Sequence, residues 1–307
     1  MGADPVTPIY SPDSAMPVRL QGIKVTSSEM SSSCSTREVE SKMDNLVVCA
    51  VIRNESKYVY EWLSFHYYVG VRHFYIYENC STDDTVEVIK SWPRQDLVSL
   101  MNWPVFPAQP KAFGQFVETL SDVAEWCAFI DCDEFLCPRT SETIPEFLAN
   151  LDPGITGMYV HWLMFGSSGY RERPEGLVTE TFIRRGYENF GANRIGKTIV
   201  RLRAATSVPI THIVASTGRL VNDSFEEVDQ TGSGVHTSAS HRKVALHHYF
   251  TKSLEEWRLR RGLGRVDLAA SDPLFVRPDQ EFYSHDVNDV VDVTAANLMK
   301  EAHKIFY

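Results

Sequence analysis

The chain has 307 residues, of which 43% are hydrophobic and 23% charged, so it can bury a sizeable core as one large α/β domain or two small ones. The formal net charge of −10 argues against a nucleic-acid-binding surface. An acidic protein can still bind an anionic nucleotide where a metal and a local basic patch carry the phosphates. No run of eighteen apolar residues and no basic, apolar leader is present, so we expect neither a membrane span nor a secretory signal.

The six cysteines show no CxxC spacing, and Cys49, Cys127 and Cys132 fall in or beside apolar runs. This pattern is typical of buried free thiols rather than of a disulfide framework or a zinc site. We therefore expect a reducing, cytoplasmic location.

Residues 1–43 are rich in Ser, Pro and Thr, and we predict a disordered tail there. The fold then begins with a continuous apolar run at 46–52, which is typical of a central parallel strand. Helices and strands alternate after it, with helices predicted over 58–69, 86–92 and 111–124, and strands over 73–77, 97–100 and 126–130. This alternation predicts a doubly wound, mostly parallel sheet whose ligands bind at the carboxyl ends of the strands.

The most informative residues, Asp131, Asp133 and Glu134, directly follow the last of these strands. An ionised carboxylate beside apolar neighbours is costly unless it is paired or bound to a metal. If the strand continues, Asp131 and Asp133 face the same side, which suits a Mg²⁺ or Mn²⁺ ion shared with substrate phosphates. An isolated Asp-x-Asp is a weak signal, and acids that form a turn or cap a helix are the alternative.

After Pro145 the pattern changes to mixed β structure with loops. Strand-like runs cover 158–165, 181–183, 198–202 and 244–250, and a helix is predicted from Ser253 to about Arg261.

Four motifs, in order and spacing, resemble the GT-A glycosyltransferases around family 92 and the broad family 2 clan. The motifs are Arg53-Asn54-Glu55 with the turn Glu78-Asn79-Cys80-Ser81, Asp131-Cys132-Asp133-Glu134-Phe135, Trp162-Leu163-Met164-Phe165-Gly166-Ser167-Ser168-Gly169, and His248-Tyr249-Phe250-Thr251-Lys252-Ser253. The resemblance spans about residues 45 to 265. Two departures are Glu78, where many relatives carry Asp, and the absence of the membrane anchor of Golgi-type relatives.

The resemblance implies a single GT-A domain over 44–307, an α/β fold with a Rossmann-like parallel half and a mixed acceptor-side half. Residues 44–140 would bind the nucleotide-sugar, residues 141–270 would form the acceptor side, and residues 271–307 would be a C-terminal extension. The implied activity is transfer of a hexose, with inversion, from a nucleotide-sugar to a glycan or other hydroxyl acceptor. A UDP-sugar is the expected donor, with galactose as the leading candidate.

The resemblance also implies a Mn²⁺ or Mg²⁺ ion held by Asp131, Asp133 and His248, which would neutralise charge on the leaving diphosphate. A hydrogen-bonded core histidine is the alternative for His248, and His247 would face the other way in a strand. The implied donor-binding residues are Arg53, Glu55, Glu78, Asn79, Lys197 and Asp131, and the implied acceptor-side residues are Trp162, Phe165 and Ser168. The alternatives are a solvated loop for Arg53, Glu55 and Glu78, and an exposed lysine for Lys197. For Trp162 and Phe165 the alternative is an aromatic pair in the core.

An inverting transferase needs a carboxylate within reach of the acceptor hydroxyl. Glu134, Glu175 and Asp223, together with Glu180, are available, and spacing alone selects none of them. A nucleotidyltransferase is the main rival, but the loop after the first strand lacks the glycines of a phosphate loop. A non-catalytic sugar- or nucleotide-binding protein is the other rival, which the intact acids and His248 disfavour.

Overall fold

The computed structural model describes residues 44–140, 143–231, 234–236 and 238–307, so the tail predicted over 1–43 lies outside the described residues. The strands are β1 Asp44–Ile52, β2 His73–Glu78, β3 Val98–Asn102, β4 Ala124–Phe129, β5 Glu134–Pro138, β6 Ile155–Met164, β7 Arg184–Arg185, β8 Gly196–Arg201, β9 Ala205–Ile210, β10 Ile213–Ser216, β11 Arg219–Val221, β12 Val244–His248 and β13 Val290–Val291. The helices are α1 Val59–Tyr68, α2 Thr85–Ser91, α3 Ala108–Thr119, α4 Ile144–Ala149, α5 Val178–Thr181, α6 Leu254–Arg261, α7 Asp279–His285 and α8 Thr294–Phe306.

Most strands of the described chain join one sheet in the order β3-β2-β1-β4-β8-β6-β12-β5, with β11 paired to β6. The first four strands are parallel to one another. The apolar run of β1 is buried on both faces, because alternate residues pack against α1 on one side and α3 on the other. The predicted fold class, an α/β fold with a doubly wound parallel half, is confirmed.

The second half of the sheet mixes directions, as predicted. β8 runs antiparallel to β4 and to β6, whereas β12 is parallel to β6 and antiparallel to β5. Because β8 runs against β4, its first residues lie at the edge where β4 ends. The start of β8 and the ends of β1, β4 and β12 therefore meet at one edge of the sheet.

Three expectations from the sequence differ in detail from the structure. Asp131 and Asp133 take the turn alternative rather than a continued strand, and they lie between β4 and β5, where the Glu134 amide donates to the Asp131 carbonyl at 3.1 Å. The third helix ends at Thr119 because Ala124 already pairs with β1.

The run at 181–183, predicted as a strand, instead contains the last residue of the short helix α5, Val178–Thr181, and two residues without regular structure. The cause is the buried carboxylate of Glu61, which accepts hydrogen bonds from the amides of Val178 at 2.7 Å and Thr179 at 2.9 Å. An anion at the first amides of a helix stabilises that helical turn.

The C-terminal residues pack onto the parallel half. The ring of Phe306 in α8 lies 5.3 Å from that of Tyr67 and 5.4 Å from that of Trp92. Within the described residues, no helix is long and apolar enough to cross a membrane. The division of 44–307 into halves and an extension stays a prediction.

Candidate active site

A cavity of about 250 Å³ opens at the sheet edge where β1, β4 and β12 end and β8 begins. The loop between α6 and α7 covers part of it, because residues 263–267 belong to its lining. This loop is held by Arg53, whose Nη1 donates to the Leu263 carbonyl at 3.2 Å, and by the Ala108 amide, which donates to the Val266 carbonyl at 2.7 Å. The cavity is therefore built from both halves of the sheet and from the segment after α6.

Asp131 lines the cavity with a side chain that is 29% exposed. Its Oδ2 lies 3.0 Å from Nζ of Lys197, and its Oδ1 accepts a hydrogen bond from the Gln109 side chain. Both carboxylate oxygens of Asp131 thus have protein partners.

Asp133 is almost fully buried behind the cavity wall. One of its oxygens pairs with the guanidinium of Arg260, and the other, Oδ1, has no hydrogen bond and lies 3.6 Å from Nε2 of His248. Burial alone would raise the pKa of Asp133, but Arg260 and His248 outweigh it and hold the pKa well below its ordinary value. Asp133 is therefore ionised, and one of its oxygens is free to accept another partner.

Glu134 is fully buried and stabilises the turn that carries Asp131 and Asp133. Its Oε2 accepts from the Asp131 amide at 2.8 Å and its Oε1 from Nε1 of Trp162 at 2.6 Å. Burial raises the pKa of Glu134 well above its usual range. Nε1 of Trp62 in α1 donates to the carbonyls of Asp131 at 3.1 Å and Glu134 at 2.9 Å, so α1 fixes the backbone of the turn.

The two histidines at the end of β12 point to opposite faces. His248 pairs in register with Glu134 of β5 and lines the cavity, where its ring lies 4.4 Å from that of Trp162. His247 is fully buried on the other face against Phe165, at 4.7 Å between ring centroids. The structure thus places His248, and not His247, beside the acids.

Lys197 lies at the start of β8 and is buried, with 1% of its surface exposed. Besides Asp131, its Nζ contacts the Thr211 carbonyl at 3.4 Å. Burial lowers the pKa of Lys197, but Asp131 and Glu134 outweigh burial and the net shift is upward. The residue is a buried, charged member of the site rather than an exposed lysine on a strand edge.

The predicted donor-binding residues separate into two groups. Arg53 and Glu55 line the cavity and also a second, adjoining cavity of about 340 Å³. Glu78 and Asn79 line neither cavity. The side-chain Nδ2 of Asn79 donates to the carbonyls of Trp103 at 2.7 Å and of Val105 at 3.3 Å, which fixes the loop between β3 and α3.

The predicted acceptor-side residues separate as well. Trp162 lines the cavity, with its indole between the rings of His212 at 5.2 Å and His248. Phe165 is in the core against Tyr249. Ser168 lies in a loop where its amide donates to the Asn288 side chain at 2.7 Å, away from the cavity lining.

The family model of glycosyltransferase family 92 matches residues 44–235 of the chain. The chain belongs to glycosyltransferase family 92. A family 92 protein of Oryza sativa subsp. japonica is 30% identical over 141 residues, which covers 45% of this chain and 24% of that protein. The chain thus matches about a quarter of the length of this curated relative.

Solved structures show a weaker likeness. S. aureus TarS, residues 1–349, matches with a TM-score of 0.35 and 15% identity over 52% of this chain and 47% of that one. Glucosyl-3-phosphoglycerate synthase from Mycobacterium tuberculosis, in complex with Mn²⁺, UDP and glucosyl-3-phosphoglycerate, matches with a TM-score of 0.28 and 18% identity over 39% and 44% of the two chains.

The structure brings only one of the four carboxylates predicted as base candidates to the acids of this family 92 chain. Glu134 is adjacent to them but has both oxygens engaged. Glu175 and Glu180 are exposed and lie outside the cavity lining. Asp223 is buried elsewhere and accepts from the Lys243 amide at 2.7 Å.

Sequence reasoning missed several residues of the family 92 site. Gln109 and Arg260 bind the acids, although each lies far from them in sequence. His212, Asp267 and Glu281 line the cavity. The motifs gave no signal for these residues, because only the sheet topology and the loop after α6 bring them to the site.

Among the described residues, no three or more His, Cys, Asp or Glu side chains are grouped as a metal site. The structure brings together two of the three predicted ligands, Asp133 and His248, and pairs the third, Asp131, with Lys197 and Gln109. The unpartnered Asp133 Oδ1 and the His248 nitrogen 3.6 Å away would be the atoms that hold a divalent cation. The carboxylate suits Mg²⁺ or Mn²⁺, and the imidazole nitrogen favours Mn²⁺ of the two.

Proposed function

We propose that the chain is a metal-dependent glycosyltransferase that transfers a hexose from a UDP-sugar to a glycan or other hydroxyl acceptor. Galactose is the leading candidate for the hexose, and inversion is the proposed stereochemical outcome. The observation that carries the proposal is the buried Asp133 oxygen without a hydrogen bond, which faces His248 beside a cavity lined by basic residues. Membership of glycosyltransferase family 92 supports the reaction class.

Asp133 and His248 would hold Mn²⁺ or Mg²⁺, and Asp131 would join them after releasing Gln109 or Lys197. When bound, the metal would supply Lewis-acid neutralisation of the charge that grows on the leaving diphosphate. The protein residues set the charge around that position. Lys197 and Arg260 keep positive charge beside the two acids, so a bound phosphate would meet cations on either side of the turn.

The nucleoside would lie near Arg53 and Glu55, which line the wall between the two cavities. Trp162 would supply the apolar ring against which a sugar face packs. Its indole is held rigid by the hydrogen bond to Glu134, so the ring is preorganised before the sugar arrives.

In the proposed reaction, the bond between the anomeric carbon and the phosphate oxygen breaks, and its electron pair leaves with the nucleoside diphosphate. The acceptor oxygen bonds to the anomeric carbon, and its proton passes to a carboxylate. Asp267 and Glu281 line the cavity and are the leading candidates for that base. Glu134, Glu175 and Asp223 rank below them because they lie outside the lining, and Glu134 also has both oxygens engaged.

A panel of UDP- and GDP-sugars, assayed with and without Mn²⁺ for hydrolysis and transfer, tests the proposal. We expect metal-dependent release of sugar from a UDP-hexose. Mn²⁺ and UDP together should also raise the melting temperature more than either alone, since ion and phosphates share one site. A strong preference for a GDP-sugar would overturn the uridine assignment, and nucleotide binding without turnover on any donor would favour a non-catalytic binding protein.

The location of the protein is also a proposal. The five cysteines in the described part of the chain are all free, and four of them are buried. Free thiols support the reducing, cytoplasmic compartment expected from the sequence.

A further inference from the structure

Three basic side chains surround the turn that carries Asp131 and Asp133, and they differ in how their charge is balanced. Lys197 is paired with Asp131 and Arg260 with Asp133. Lys252 is only 5% exposed, yet no carboxylate of the described residues forms an ion pair with it. Its Nζ lies 4.4 Å from the centroid of the Tyr58 ring, a contact that stabilises a cation without neutralising it.

The backbone at Lys252 is strained. Its φ of +49° is in the left-handed region, which costs a residue other than glycine about 1–3 kcal/mol. The next residue, Ser253, caps α6 and is fixed by its amide, which donates to the Glu256 carboxylate at 3.1 Å. The chain thus turns sharply between β12 and α6, and this turn directs the Lys252 side chain toward the site.

Lys252 lines the second cavity together with Arg53, Glu55 and Asp83. Arg53, Glu55 and Arg260 also line the first cavity, so Lys252 stands beside the wall that the two cavities share. Burial lowers the pKa of Lys252, although Glu55 and Asp133 act in the opposite direction. An ammonium in a cavity wall with no carboxylate in direct contact is available to an anionic ligand that bridges the two cavities.

We propose that Lys252 binds the diphosphate of the nucleotide donor and stabilises the charge that reaches the leaving nucleoside diphosphate. This inference rests on the proposed function. The ammonium donates hydrogen bonds to phosphate oxygens and neither gains nor loses a proton in the reaction. Lys197, the lysine that the sequence suggested for this role, already has its charge balanced by Asp131.

The substitution Lys252→Met tests this role, because methionine keeps an apolar chain over Tyr58 and removes only the charge. Parent and variant are titrated calorimetrically with UDP and with uridine. We expect the affinity for UDP to fall at least tenfold, while the affinity for uridine stays unchanged, since uridine carries no phosphate. The variant should melt at the parent temperature or above it, because an unpaired buried charge is gone.

The matched control is Lys243→Met. Lys243 also lies over aromatic rings, at 5.4 Å from Phe147 and 4.9 Å from Phe225, but lines neither cavity. Its replacement should leave both affinities unchanged. Lys252→Arg, which keeps the charge, should retain a clear preference for UDP over uridine, and it serves as the test variant if Lys252→Met fails to fold.

A purely structural lysine gives a different result, in which Lys252→Met melts lower and weakens UDP and uridine by the same factor. That result, or an unchanged ratio of the two affinities, overturns the role of Lys252. A parent protein that binds no nucleoside diphosphate contradicts the proposed function itself, so the two failures can be told apart.

Discussion

The two acids of the turn between β4 and β5 are two residues apart in sequence, but their surroundings differ. The side chain of Asp131 is 29% exposed and has both oxygens engaged by Gln109 and Lys197. The side chain of Asp133 is 1% exposed and keeps one oxygen without a hydrogen bond, opposite His248. The difference teaches that only the more deeply buried acid keeps an oxygen free for the proposed metal, whereas Asp131 is engaged by a lysine.

The largest effect should come from Asp133→Asn. It removes the charge that faces His248, and we expect metal-dependent kcat/KM to fall by about 10³-fold, or ~4 kcal/mol. Asp131→Asn should cost only about tenfold, because Gln109 and Lys197 already occupy its oxygens. Both variants are assayed with the donor that the panel identifies, and equal losses in the two would remove the distinction between the acids.

The histidine pair at the end of β12 sharpens the same comparison. His248→Ala should weaken binding of Mn²⁺ in the presence of UDP by about 10–100-fold, with the protein still folded. His247→Ala should leave that affinity unchanged and lower the free energy of unfolding by about 2 kcal/mol, because it opens space in a packed core. Calorimetric titration and urea denaturation of both variants check this, and loss of metal affinity in His247→Ala alone would reverse the assigned faces of β12.

The free energy of unfolding should depend on pH through His66, whose ring joins the helix before the acids to the strand that follows them. Nδ1 of His66 contacts the Trp62 carbonyl at 2.8 Å and Nε2 accepts from the Leu136 amide at 3.2 Å, so the neutral ring joins α1 to β5. Burial lowers the pKa of His66 to about 3, whereas in the unfolded chain it is about 6.5. Between these values the unfolded state binds the extra proton, so stability falls as the pH falls below about 6.5.

For His66 alone the expected slope is about 1.4 kcal/mol per pH unit. Urea denaturation between pH 7 and pH 5 measures the total slope for the parent and for His66→Gln. The variant should be less stable at pH 7. Its free energy of unfolding should change with pH less steeply than that of the parent, by about 1.4 kcal/mol per pH unit. An identical slope in both proteins would show that His66 is already protonated in the fold.

The smallest effect should come from Trp162→Phe. This change keeps an aromatic ring in the cavity but removes the donor to Glu134 at 2.6 Å. Leaving a buried acceptor without this partner should cost about 1–2 kcal/mol of stability. Because Glu134 orders the turn through the Asp131 amide, the KM for the nucleotide-sugar should also rise modestly. A kcat that falls while stability is unchanged would instead place Trp162 in the transition state.

Much of the parallel half could be predicted from sequence because its signals are local. The apolar run of β1 and the helical spacing in α1 each lie within about ten residues, and topology then brings the acids to one sheet edge. Alternation along a single strand predicted that only one of His247 and His248 faces the crevice, and the resemblance of the following motif to family 92 selected His248.

The rest depends on contacts between distant residues. Nothing near Arg260 indicates that it reaches Asp133, and nothing near Glu61 indicates that its carboxylate fixes a helical turn at Val178. The sequence left open whether Asp131 and Asp133 continue a strand or form a turn, because apolar residues lie on both sides, and these belong to two different strands. Tertiary pairing decides such cases, and a local pattern does not contain it.

The most direct test of the central claim is the affinity of Mn²⁺ in the presence of UDP, measured by electron paramagnetic resonance for the parent, Asp133→Asn and Asp131→Asn. We expect the parent to bind Mn²⁺ more tightly with UDP than without it. UDP should not increase the Mn²⁺ affinity of Asp133→Asn, and it should increase that of Asp131→Asn by a smaller but measurable factor. An Asp133→Asn variant that binds Mn²⁺ with UDP as tightly as the parent would contradict the account.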